Sequence, residues 1–307
     1  MNTLLLLEQG LNGLQFGVML FLLAAGLTLV FGIMNLVNLA HGSLYMVGAY
    51  LAAALYQWTG SFLAGFVLAI AATFLVGVLT EIVALRTLYT RDHLDQVLAT
   101  FGLILFFNEV IKIIWGPAAI FTPIPEFLSG NVEIIPGALY PVYRLAIIAV
   151  GLLVAVGLYY VVARTRLGML IRAGASNREM VGALGVNIGV LYTFVFGLGA
   201  ALAGLAGLMA GPLLTVQPGM GESILILTFV VIVIGGIGSI RGAFVASIVV
   251  GLIDTVGRAF IPELFNTFLP ADAAGSAGPA ASSMLIYVLM AAVLFFRPQG
   301  LFPARSG

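Results

Sequence analysis

Hydrophobic residues fall in blocks of about twenty, the length that crosses a bilayer as a helix, separated by short polar stretches and with no alternation inside the blocks. The pattern predicts membrane-crossing helices near 12–33, 38–57, 62–85, 95–115, 143–163, 189–211, 223–239, 242–261 and 284–302. That gives nine crossings, or eight if 38–57 or 223–239 turns back within the membrane. A lipid-exposed backbone must satisfy its own hydrogen bonds, so these blocks are helices. Long apolar runs without alternation exclude a β-barrel. The loops 116–141 and 271–283 are too short to fold alone, so one all-α transmembrane domain, residues 1–307, is expected.

Charge sets the orientation of this threading. Arg86, Arg91, Arg164, Arg166, Arg172, Arg178, Arg241, Arg297 and Arg305 fall on one side, and Lys112, Arg144 and Arg258 on the other. The positive-inside bias makes the first side cytoplasmic and places the N-terminus outside if all nine blocks cross. The acidic loop with Glu126 and Glu133, and Asp272 in the Ala/Gly/Ser tract 271–283, then lie outside. The polar island Arg164–Asn187 lies inside. Within it Ser176-Asn177-Arg178-Glu179 reads as a capping box that starts a short helix, and Gly185 supplies its stop. Met180, Val181 and Leu184 fall on one face at i, i+1 and i+4, beside Arg172, Arg178 and Glu179. Such a helix either belongs to a basic loop that merely fixes orientation or docks a soluble partner.

Composition narrows the function classes. Hydrophobic residues make up 62% and charged residues 8% of the 307, which fits a polytopic membrane protein embedded in a lipid bilayer. A formal net charge of zero offers no basic surface for nucleic acid. With no cysteine, disulfides, thiolate metal sites and thiol catalysis are excluded. The start, MNTLLLLEQG, lacks a positive n-region, so the first apolar block is expected to be retained.

Four further features carry candidate chemistry. Asn35, Asn38 and His41, with Ser43 and Tyr45 close by, place polar groups between two apolar blocks, where they either cap a buried turn or line a translocation path. One histidine without carboxylates makes a poor metal site. Gly199, Ala203, Gly207 and Gly211 recur every fourth residue and predict near backbone-to-backbone packing. Glu109 with Lys112, and Asp254 with Arg258, are spaced to pair along a helix, while Glu81 could meet Arg86 or Arg241. GGIGSIRGAF, 235–244, fits neither glycine-rich phosphate motif, and Lys112, the only lysine, does not follow a glycine. If ATP drives this chain, another subunit binds it. The signatures of serine hydrolases and zinc peptidases are absent, which argues against an intramembrane enzyme.

GLNGLQFGVMLFLLAAGLTLVFGIMNLVNLAHGSLYMVGAY, RAGASNREMVGALGVN and IGGIGSIRGAFVASIVVGLID, in that order, resemble the LivH-type permeases of branched-chain amino acid ATP-binding-cassette importers. The resemblance implies an importer permease fold in a bacterial inner membrane, partnered by a second permease, LivM-type or a copy of this chain. It also implies two cytoplasmic ATPases that hold ATP and magnesium, and a periplasmic solute-binding protein. No cofactor is expected on this chain. Ser176–Leu184 matches the position of the coupling helix of such permeases, and selectivity is expected to rest largely with the binding protein. The family also includes permeases for urea and short amides, an alternative solute class. A stand-alone secondary transporter or channel is the competing reading, for which neither an ion-coupling carboxylate pair nor a clear inverted repeat is found.

Overall fold

The polar interruptions become turns between helices in a computed structural model that describes residues 3–135 and 138–303. Arg305, expected inside, and the side chain of Asp272, expected outside, lie beyond the described residues. The helices run α1 Thr3–Met34, α2 His41–Thr59, α3 Phe62–Thr80, α4 His93–Trp115, α5 Val142–Arg164, α6 Arg166–Ser176, α7 Arg178–Ala183, α8 Ile188–Ala210, α9 Met220–Gly235, α10 Ile240–Phe268 and α11 Ala271–Phe296. Seven of them, all but α2, α6, α7 and α9, are long and apolar enough to cross a membrane.

The two blocks that could turn back behave differently from the rest. At 16 residues α9 is about 24 Å long, short of a ~30 Å core. α2 begins inside the bundle: its first residue, His41, lies 3.2 Å from the carbonyl oxygen of Leu23, about 16 Å along α1 from its end at Met34. Residues 35–40 therefore run back beside α1 without helical structure. Asn35, with φ of 52°, makes the reversal, since asparagine tolerates left-handed dihedrals.

One expectation for a loop is corrected, and the other loop gains local structure. The tract Ala271–Ser283 is the first half of α11, because its small residues let α11 press onto α10. A Cβ on Gly278 would fall 2.7 Å from the Pro262 Cα, and the Ser282 hydroxyl donates to the Gly257 carbonyl at 3.1 Å. The loop 116–141 holds a short antiparallel hairpin, β1 Asn131–Ile135 with β2 Ala138–Pro141. Tyr140 on β2 and Arg144 on α5 both donate to Asn12 Oδ1, tying the hairpin to α1.

α1 and α8 form the centre, and every residue of 17–30 and of 199–211 is buried. Around them pack α2, α3, α5 and α10, while α4 and α11 present mostly exposed apolar faces. The stripe on α8 meets helices of the same chain. Gly199 lies against the Gly26 carbonyl of α1, and a Cβ on Gly207 would collide with the Tyr45 carbonyl of α2. Ala203 is fully buried, and Gly211 caps the helix end instead of continuing it. Gly204 faces Gly48 of α2 and Thr73 of α3. Such contacts replace the hydrophobic effect as the source of cohesion in lipid. In the isolated chain, Gly207→Ala is expected to cost ~1–3 kcal/mol through overpacking and to lower the melting temperature in detergent. Gly157→Ala, where nothing lies within 4 Å, should change stability by less than about 1 kcal/mol in the same measurement.

Candidate functional site

The loop 164–187 folds as two helices where the sequence predicts one. Thr165 caps α6 by accepting from the Gly168 N–H at 3.2 Å, and Gly168 lets α6 turn tightly against the Val161 and Val162 carbonyls at the end of α5. Arg172 donates to the Val162 carbonyl, bringing its charge to the negative end of α5. It is thus engaged within the chain. Ser176 is the last residue of α6, which corrects the predicted capping box. Asn177, with φ of −152°, breaks the helix and accepts from the Met180 N–H at 2.9 Å, since asparagine caps as well as serine.

Gly185 ends α7 at φ of 88°. Its N–H donates to Gly182 at 3.0 Å and the Val186 N–H donates to Val181 at 3.3 Å, the paired pattern of a Schellman stop. The expected apolar face divides. Met180 and Leu184, four residues apart, are 59% and 77% exposed, whereas Val181 is 7% exposed and turned into the chain. Arg178 and Glu179 are exposed at the edge. What α7 offers outward is two apolar side chains flanked by charge.

A polar knot joins this region to α3. Glu81 is fully buried and accepts from Arg86 Nη2 at 3.0 Å and Nε at 3.3 Å, from the Tyr89 hydroxyl at 2.7 Å and from the Thr193 hydroxyl of α8 at 2.7 Å. Of the two partners open to Glu81, the structure selects Arg86. Arg241 instead donates to the Tyr159 hydroxyl at 3.1 Å and lies over that ring. Burial first, then the carboxylate beside it, pushes the Tyr89 phenol pKa upward, so it remains a donor. A π-helical turn over Glu81–Leu85 marks where α3 is distorted to aim these groups. The pairs Glu109–Lys112 and Asp254–Arg258 close at 2.7 and 2.9 Å, as their spacing predicts.

Among the polar residues of the α1–α2 break, Asn35 is exposed, while Asn38, His41 and Tyr45 are buried. Asn38 Oδ1 accepts from the Ala40 N–H at 3.0 Å, folding the turn. A carbonyl only accepts, so the His41 contact with Leu23 places the imidazole proton on Nε2. Among the described residues, Asn38 Nδ2 and His41 Nδ1 find no hydrogen-bond partner. At the glycine-rich stretch 235–244, the Leu301 and Phe302 N–H groups donate to the Ile234 and Gly235 carbonyls, so the chain's own end covers that corner.

Sequence reasoning missed a second polar contact at depth. Asn108 of α4 donates from Nδ2 to Glu222 of α9 at 2.7 Å and accepts from the Gly219 N–H at 3.1 Å. Glu222 sits at the edge of an apolar block and reads as a helix-start acid. The start of α9 places it beside Asn108, about 10 Å in from the end of α4. Among the described residues no group of histidines and carboxylates could hold a metal ion.

The chain matches, over residues 10–294, the family described as branched-chain amino acid transport system / permease component. The high-affinity branched-chain amino acid transport system permease protein BraD of Pseudomonas aeruginosa is 31% identical over 309 residues, covering 96% of this chain and 95% of that protein. The corresponding protein LivH of Escherichia coli K12 is 30% identical and covers 83% and 87%. A probable branched-chain amino acid transport permease protein LivH of Methanocaldococcus jannaschii is 27% identical over 92% and 88%. No solved structure matches the chain. With its multi-pass helical bundle and a family match spanning nearly its whole length, the chain belongs to the permease components of branched-chain amino acid transport systems.

Proposed function

We propose that this chain is the membrane-spanning half of an ATP-binding-cassette importer for branched-chain or other hydrophobic amino acids in a bacterial inner membrane. The full assembly holds a second permease, LivM-type or another copy, two cytoplasmic ATPases carrying ATP and magnesium, and a periplasmic binding protein. The observation that carries the reading is α7, a six-residue helix capped at both ends that holds Met180 and Leu184 outward on an arginine-rich loop. Aliphatic side chains kept in water by a rigid turn suit a cleft on a soluble partner. Arg178 and Glu179 contact the rim of that cleft, and Val181 pins α7 to the permease.

ATP-driven closure of the ATPases displaces α7, and α7 runs directly into α8 through Asn187, whose side chain caps α8 by accepting from the Val190 N–H at 3.2 Å. Thr193, one turn further on, passes the displacement through Glu81 to α3. Because α8 is packed almost backbone to backbone, it moves as a body and switches the central path between outward and inward access. The segment Asn35, Asn38, His41 and Tyr45 belongs to that path, its buried members becoming accessible as α8 leaves α2.

In proteoliposomes containing the complete importer, Leu184→Asp is expected to abolish uptake while membrane insertion is retained; undiminished uptake would remove the reading. Asn177→Ala should cost about 1 kcal/mol at the α7 N-cap, raising amide hydrogen exchange across 178–183 roughly fivefold. Ser176→Ala should leave that exchange unchanged, because Asn177 is the capping residue.

A further inference from the structure

Glu222 is a carboxylate placed beside the broken centre of the bundle and, among the described residues, outside every ion pair. Its neighbour Gly221 is pressed against Gly42, the second residue of α2, and His41 beside it is level with Leu23 in the middle of α1. Asn108, its hydrogen-bond partner, lies about 10 Å in from the end of α4 at Trp115. The described ion pairs are Glu81–Arg86, Glu109–Lys112 and Asp254–Arg258, and Glu222 is in none of them. It is nevertheless exposed on the surface of the chain. A carboxylate at that depth is too costly to face acyl chains and marks a wet path or a bound cation.

The surroundings specify the ligand further. Asn108 is itself fixed by the Gly219 N–H and spends one amide donor on Glu222 Oε1, which orients the carboxylate and leaves most of its acceptor capacity free. Beside it lies the broken segment 35–40, with Asn38 Nδ2 and His41 Nδ1 buried and unpartnered. Discontinuous helices near the bilayer centre are where transporters hold charged solutes. An α-amino acid presents a primary ammonium with three donors, which matches an oriented, unpaired carboxylate.

We propose that Glu222, oriented by Asn108, lines the translocation path and receives the α-ammonium group of the amino acid in transit. This rests on the importer reading above.

The test uses the complete importer in proteoliposomes with L-leucine and saturating binding protein. Glu222→Gln is expected to lower leucine uptake per ATP about tenfold, the cost of one charge-assisted contact, with ATP hydrolysis, subunit assembly and melting temperature retained. Glu222→Asp should restore part of the uptake. Because the chain has no cysteine of its own, Glu222→Cys gives it a single thiol, whose labelling is read on this chain after the subunits are separated. A cationic water-soluble methanethiosulfonate should modify it much faster than Ile226→Cys, one turn along α9. Unchanged uptake per ATP, or equal labelling at the two positions, overturns the proposal. So does loss of the second permease on purification, which makes Glu222 a subunit contact, or a melting temperature lowered alike by Gln and Asp, which makes it a fold residue. A wild-type complex that imports no amino acid overturns the importer reading instead, and is distinguished by the wild-type control.

Discussion

Close approach of α8 to its neighbours is the constraint on which the other features depend. In lipid there is no hydrophobic gain from pressing one apolar helix on another, so cohesion must come from dispersion over short distances. Gly199 and Gly207 let α8 lie against the backbones of α1 and α2, and Gly204 lets it lie against Thr73 of α3, where a side chain would crowd or collide. The same contacts make α8 stiff. A helix packed this way is displaced whole, because its interfaces fit in few arrangements and do not deform continuously.

That stiffness gives meaning to what is attached at the N-terminal end of α8. α7 is set by Asn177 on one side and by Gly185 on the other, so its two exposed aliphatic side chains have a fixed direction relative to α8. Thr193 and Glu81 join α8 to the distorted end of α3. A buried carboxylate that loses a donor leaves an unsatisfied charge, so each contact in this knot resists separation. Together they connect α7, the start of α8 and the distorted end of α3.

The centre is built from interruptions. α1 stops at Asn35, residues 35–40 return without helix, and α2 restarts at His41 inside the bundle. At 16 residues α9 falls short of a ~30 Å core, and it begins against that restart. Irregular backbone at such depth is tolerated only inside protein or beside water. Here it brings Asn38, His41, Asn108 and Glu222, residues far apart in the chain, to the same region.

Much was legible from order and composition alone. Hydrophobic block length specified an all-helical membrane domain, because a ~30 Å core demands about twenty apolar residues whatever the packing. Spacing specified the ion pairs at Glu109–Lys112 and Asp254–Arg258, since neighbours on one helix meet without tertiary help. The existence of a short helix near 178–184, and its stop at Gly185, were likewise local. Where an outcome depended on a distant surface, the chain order was silent. The Ala/Gly/Ser tract, whose glycines and serines favour turns, is helix where it packs against α10, and the Asn177 cap displaced Ser176 because α6 runs on through Ser176. Val181 was separated from Met180 and Leu184 by what lies beneath α7, Glu81 chose Arg86 over Arg241 by reach, and Glu222 was brought to Asn108 by where α9 begins. Sequence decides what each segment can form by itself; burial, partner choice and depth are properties of the space between segments, and only the tertiary structure supplies that space.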